Sequence, residues 1–209
     1  AYERAGREMR TGYDLRTARR SMNLLTIEWA NRGINMWTIE PGTLNLVQGQ
    51  FSYPIPVDTI DLIEHQIRTQ ANSVSNQADL TISRISVSTY ATIPNKLTQA
   101  RPIQVWIQRY NGQTSPTGIT LNGAITAVST EIVLNTAVGL PAAGFIKIDN
   151  EIINYSYISG NTLYNCFRGQ QDTTAASHTS TTAVYWQQVP AITVWPTPDN
   201  AQQYQFVYW

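Results

Sequence analysis

The spacing of apolar residues changes at Gly33, and that change constrains the fold more than any other feature of the sequence. Before it, Leu15, Ala18, Met22, Leu25 and Trp29 recur in alternating steps of three and four, which places them on one face of an α-helix. Leu24 and Ile27 are expected to widen that stripe, with Arg16, Arg19, Arg20 and Asn23 falling largely away from it. Thr11 or Asp14 can cap the helix start, and Gly33 stands just past its last turn. Tyr2–Arg10 reads as the end of an earlier helix, broken at Arg10–Gly12, so a helical hairpin is expected at the amino-terminal side.

Beyond Gly33 the period becomes two. Leu44 and Leu46, then Phe51 and Tyr53, alternate with polar residues around Gln48-Gly49-Gln50, which predicts a β-hairpin. Asp58–Ile67 is open between strand and short helix, and Leu80–Ala91 reads as mixed. Pro102–Tyr110 predicts a strand with Ile103, Val105 and Ile107 on one face and Gln104, Trp106 and Gln108 on the other. Asn111–Gly118 is rich in turn formers. Short strands separated by turns then run to Trp186, with Phe145–Ile148, Glu151–Ile158 and Thr162–Arg168 as an expected meander and Thr182–Trp186 as the last strand. Val189–Trp195 and Gln203–Trp209 resume longer strands. The economical reading is an α+β protein in which a helical hairpin packs with a small antiparallel β-region (residues 1–113 and 189–209). A small all-β domain, residues 114–188, is inserted into one of its hairpin loops. Pro102–Tyr110 and Val189–Trp195 are then expected to be neighbours.

Charge follows the same division. Residues 1–40 carry 12 of the 28 charged side chains, and only Asp199 is charged after residue 188. Charged residues make up 13% of the chain, about half the usual share, with Thr, Asn and Gln in their place. Fourteen basic and fourteen acidic groups give no net charge, which disfavours nucleic-acid binding through a globally basic surface. No apolar run approaches the ~18 residues that span a bilayer. A single cysteine, Cys166, excludes an intrachain disulfide framework or a zinc site built on several cysteines, a usage expected of an intracellular protein.

Groupings that could carry chemistry are scarce. His65, in Asp61-Leu62-Ile63-Glu64-His65, has carboxylates near enough in sequence to raise its pKa, but also reads as a half-exposed edge residue. His178 lies in a Ser/Thr/Ala-rich loop, where it is either a ligand or base, or a side chain bonded to local backbone. Cys166 alternates with apolar residues and is expected to be buried and unreactive. Asp149 and Glu151 flank a turn without an evident partner pair. No phosphate loop, dinucleotide fingerprint, nucleophile elbow or His-Glu-x-x-His is present, so no enzyme, cofactor or metal is expected.

Two binding features stand out. Arg4, Arg7, Arg10, Arg16, Arg19, Arg20 and Arg32 form a cluster that reads either as a contact with phosphate or an acidic protein surface, or as a solvated helix face paired with Glu3, Glu8 and Asp14. Trp106, Tyr110, Trp186, Trp195, Tyr204, Tyr208 and Trp209 form either a stacking platform for sugars or core and interface residues.

Ala1-Tyr2-Glu3-Arg4-Ala5-Gly6, the run Arg10–Ser21, Trp29-Ala30-Asn31-Arg32-Gly33-Ile34-Asn35 and Trp195-Pro196-Thr197-Pro198-Asp199 followed by Tyr204–Trp209 resemble the head-to-tail adaptor proteins of short-tailed bacteriophages. Asp149–Ile153, Ile158–Leu163, Arg168-Gly169, Thr174-Ala175-Ala176 and His178 resemble a small β-module of phage tail and baseplate proteins. Asp172-Thr173 and Ser180 depart from that module's glycine pattern. The resemblance implies a structural virion protein at the head-to-tail interface, made in the host cytoplasm and acting without catalysis. It would form a ring of twelve copies, bind the portal protein and a tail nozzle or hub protein, and let viral DNA pass without sequence-specific binding. Arg4, Arg7, Arg10, Arg16, Arg19 and Arg20 would face a neighbouring subunit or the portal. Asp172, Thr174 and His178 would lie on an exposed loop of the insertion, available to a tail fibre. In many relatives a carboxy-terminal arm enters the portal, whereas this sequence stops inside an expected strand at Trp209. The alternative in a different class is a carbohydrate-binding tail component that contacts a receptor.

Overall fold

A computed structural model describes residues 12–32, 39–199 and 201–209. Residues 1–41 and 42–209 are separate compact units. In the first, helix α1 spans Gly12–Asn31, so the 3.6-residue period acts as read. At about 100° per residue, however, Leu24 and Ile27 emerge more than a third of a turn from the stripe they were expected to widen, among Arg16 and Arg20. The helix therefore carries apolar side chains on more than one side.

The second unit is built from strands. In chain order they are β1 (Gly42–Asn45), β2 (Ser52–Pro54), β3 (His65–Thr69), β4 (Ala78–Thr81) and β5 (Ser83–Arg84). After the short helix α2 (Val87–Ala91) come β6 (Gln104–Gln108), β7 (Thr114–Thr120), β8 (Ile132–Val133), β9 (Gly144–Ile148) and β10 (Glu151–Tyr155). The rest are β11 (Tyr157–Ser159), β12 (Thr162–Tyr164), β13 (Phe167–Gln170), β14 (Ala183–Gln187), β15 (Ala191–Trp195) and β16 (Gln205–Tyr208). Strands make up 39% of the chain and helix 11%, so the expected α+β class is overturned in favour of a mainly β protein. The expected first helix, Tyr2–Arg10, lies outside the described residues, and α1 is the one long helix within them. The physical reason for the difference is that the sheets bury one another. Sheet β1-β16-β3-β4 supplies Ile67, Phe206 and Tyr208, sheet β2-β15-β6-β5 supplies Tyr53, Val105, Ile107, Ile192 and Val194, and these join in one core.

The remaining two sheets, β13-β10-β9-β14-β7 and β11-β12-β8, draw every strand from residues 114–187. Ile119, Ile132, Ile146, Ile148, Ile153, Tyr155, Leu163 and Val184 form the core between them. β6 and β15, the strands on either side of this segment, pair antiparallel from Gln104↔Trp195 to Gln108↔Ala191. Alternation then explains why β15 and β10 are buried on both faces. Ile192 and Val194 enter the first core, while Ala191 joins Val189, Phe145 and Ile152 in a small cluster that ties the two groups of sheets together.

Two expected local units are absent. β1 and β2 are not a hairpin, because they enter different sheets. The buried Tyr53 hydroxyl accepts from Val47 N–H at 2.8 Å and lies 2.8 Å from the Gln50 carbonyl it donates to, which turns the chain between the sheets. The expected meander is also divided. β9 and β10 form its hairpin, but β10 next pairs with β13, and β11–β12 belong to the small sheet.

Candidate functional site

Arg16, Arg19 and Arg20 are exposed on α1, while Arg4, Arg7 and Arg10 lie outside the described residues. Arg32 pairs with Glu28 at 2.5 Å, one turn earlier, as an exposed ion pair of small energetic weight. Apolar groups on the helix matter more. Met22, Leu24 and Ile27 are 62%, 59% and 57% exposed.

The insertion loop divides. Asp172 and Thr174 are exposed. His178 is buried, which corrects its placement on an exposed loop. The correction follows from a polar cluster that the sequence did not reveal. Glu151 starts β10 directly after the Asp149-Asn150 turn, and its side chain is 1% exposed. One carboxylate oxygen accepts from Arg168 Nε at 2.8 Å and from Gly169 N–H at 3.0 Å. The other accepts from Arg168 Nη2 at 2.7 Å and Ala176 N–H at 3.1 Å, and lies 2.8 Å from His178 Nε2. Nδ1 of the same ring lies 2.8 Å from Asp149 Oδ2.

Burial alone would push the Glu151 carboxyl up. Hydrogen bonds from Arg168, His178 and the Ala176 and Gly169 backbone outweigh it and hold the group below the usual carboxylate range. Arg168 also donates to the carbonyls of Thr126 and Ala176, so one buried ion pair fastens those two loops to β10 and β13. Histidine between two carboxylates has the composition of an acid–base site. Here every oxygen of Glu151 is already engaged, and Arg168 and His178 are 7% and 2% exposed, so the arrangement acts as a clasp.

The other two candidates are structurally defined. Cys166 is buried, its thiol pushed up to about 12 chiefly by burial. His65 sits half-buried on β3, stacked on Phe206 at 6.0 Å. Burial and then Arg84 push its pKa below the ordinary value and outweigh Asp61, reversing the direction expected from the neighbouring carboxylates.

The aromatic platform separates into three groups. Tyr204 and Tyr208 are core residues, and Trp195 donates to the Asn95 carbonyl. Trp209 is 37% exposed. Trp106 instead lines a cavity of about 260 Å³, and Tyr110 and Trp186 line a smaller one of about 60 Å³ that shares Gln108, Ala143 and Gly144 with it.

No family model, curated protein or solved structure matches this chain. Sequence reasoning missed Tyr90 and Tyr157 as cavity residues and Arg168 as the partner of Glu151. The one available signal was that Arg168 is among the few charges between residues 114 and 188, flanked by residues with strand patterning. A charge in such a place needs a counter-charge.

Proposed function

We propose that this chain is a structural virion protein without catalytic activity, assembling through copies of itself into a ring of twelve that joins portal to tail and extends the DNA channel. The observation that carries the reading is α1. Leu24 and Ile27 expose apolar side chains on a helix that also displays Leu15, Met22 and Leu25 on another side. Such a helix is stabilised by burial on more than one side, as it would have between ring neighbours. The interspersed Arg16, Arg19 and Arg20 give the same contacts hydrogen-bonding groups suited to interfaces. The resemblance of residues 1–113 and 189–209 to head-to-tail adaptors supplies the ring and its partners, the portal, the tail nozzle or hub and a tail fibre.

Residues 114–188 are read as an inserted module. Support comes from their self-contained sheets and from the pairing of β6 with β15 at their ends. Zero net charge suits a channel through which DNA slides, because strong phosphate contacts would retard it.

Mass photometry and negative-stain electron microscopy of the purified chain test the reading. Rings of twelve are expected, and they should be lost in Met22→Asp/Ile27→Asp while the β-unit keeps its circular dichroism. A chain that stays monomeric at all concentrations and is absent from the head-to-tail joint of virions would refute it.

A further inference from the structure

We propose that the cavity at the seam between sheet β2-β15-β6-β5 and the 114–187 segment binds a neutral saccharide, one pyranose ring at a time. This inference stands apart from the ring assembly, since it uses no residue of α1.

The floor of the cavity follows from register. Ser52, Thr193 and Trp106 lie side by side across β2, β15 and β6, on the face opposite the core residues Tyr53, Ile192 and Val105. Tyr90 of α2 stacks on Trp106, with ring centroids 5.2 Å apart, and fixes the indole. Ala142, Ala143 and Gly144 form a wall of small residues, and Tyr157 closes another side. Tyr157 is itself stacked on Tyr164, with centroids 5.0 Å apart and rings 7° from parallel. An aromatic held in this way is a rigid surface for the C–H face of a sugar ring, because little side-chain freedom remains to be lost on binding.

Charge and volume narrow the ligand. Lys96 is the one ionisable lysine, arginine or carboxylate group among the lining residues. Its ammonium already donates to the carbonyls of Ile93 and Ala91, at 2.9 and 3.3 Å, and sits 5.4 Å from the Tyr90 ring centre. Two of its three N–H donors are thus engaged within the protein, and the lining offers no second charge for an ionic ligand. At about 260 Å³ the space falls just below the ~300 Å³ where pockets for drug-sized ligands begin, which suits a single ring. The polar groups then exclude a plain hydrocarbon. Gln108, Ser52 and Thr193 offer an amide and hydroxyls, and the Ser156 hydroxyl is buried with no hydrogen-bond partner among the described residues. Ser52 and Thr193 stand on the floor beside Trp106, so their hydroxyls are the ones a ligand hydroxyl would meet.

Saturation-transfer NMR on the full chain tests the proposal, using methyl glycosides of glucose, galactose and N-acetylglucosamine, with phenol as an aromatic control. Saturation transfer to at least one glycoside is expected, with a Kd on the order of 1 mM for so small a ligand. Ala142→Phe should fill the space beside that wall and abolish the signal. Tyr157→Ala should weaken binding roughly tenfold, which corresponds to ~1.4 kcal/mol of lost stacking. Thermal melts check that each variant is folded, and Ala142→Phe removes no existing contact. The proposal is overturned if no glycoside binds, if phenol alone binds, or if glycosides bind both folded variants as tightly as the parent.

Discussion

Replacing Glu151 by glutamine keeps the side chain's shape and removes its charge, and the structure sets the consequence. Five donors converge on the two carboxylate oxygens, namely two from Arg168, the backbone N–H groups of Gly169 and Ala176, and His178 Nε2. An amide can accept at only one of those positions and presents N–H groups at the other. With its NH2 toward Ala176, it meets Arg168 Nη2 and the Ala176 N–H. Only His178 can adapt, by changing tautomer and accepting at Nε2. With the NH2 toward Gly169, Arg168 Nε and the Gly169 N–H are left facing donors. Either way the Arg168 guanidinium, 7% exposed, loses its counter-charge.

Breaking a buried pair by removing one partner costs about 3–5 kcal/mol, and that is the expected loss for Glu151→Gln. It is a large fraction of the ~5–15 kcal/mol that holds a typical domain folded. Urea unfolding followed by near-UV circular dichroism, extrapolated linearly to water, measures it. Glu151→Leu/Arg168→Met removes both charges and is expected to lie closer to the parent protein than Glu151→Gln does. A loss below about 1 kcal/mol for the single variant, or a double variant worse than the single, would refute the reasoning that Glu151 and Arg168 hold each other in place.

The remaining predictions follow from neighbouring features. Stability should fall in two stages on acidification. His65 has a depressed folded pKa, so its contribution is full above its unfolded value of about 6.5 and declines below it. Glu151 is also depressed, so its contribution is full above about 4.3 and is lost as pH falls through its lower folded value. His65→Gln should remove the first stage and leave the second, as read from urea midpoints across pH. Gly169→Ala should cost about 1–3 kcal/mol in the same unfolding experiment, because φ is +60° there and a Cβ would stand 2.9 Å from the Thr173 carbonyl oxygen. Cys166, 3% exposed with its thiol at about 12, should resist maleimide at pH 8 until urea unfolds the protein. Labelling of the native state within minutes would contradict its burial.

What was legible in the sequence was mostly local. The α1 period, the alternation of Val105 and Ile107 against Trp106, and the turn at Asp149-Asn150 depend on neighbours a few residues apart, and each is found. The pairing of β6 with β15 was also foreseeable, because turn-rich residues mark where the chain leaves and re-enters the sheet. The class assignment failed because a helix stripe states that a face needs cover, without saying that the β-core depends on the helix. The missing hairpin has a comparable cause. Alternation places Leu44 and Tyr53 in strands, but the Tyr53 hydroxyl's hold on the Val47–Gln50 backbone decides that those strands part company. His178 is 27 residues from Glu151, and no periodicity reports a contact across that separation. Leu24 and Ile27 were misassigned for a different reason, since 100° per residue places them off the stripe without any structure.

The position of β16 also sets the order in which this protein can complete itself during synthesis. β16 lies between β1 and β3, so residues 205–208 fill the gap in a sheet whose other strands were made much earlier. Until those residues leave the ribosome, β1 and β3 each present an unpaired backbone edge, a surface open to wrong partners. Every strand of the 114–187 sheets has emerged by then. The segment read as inserted can therefore close its core while its host is still waiting for a strand. At elongation rates of about 5–20 residues per second the interval lasts a second or more, long against hairpin formation and long enough for a chaperone to matter.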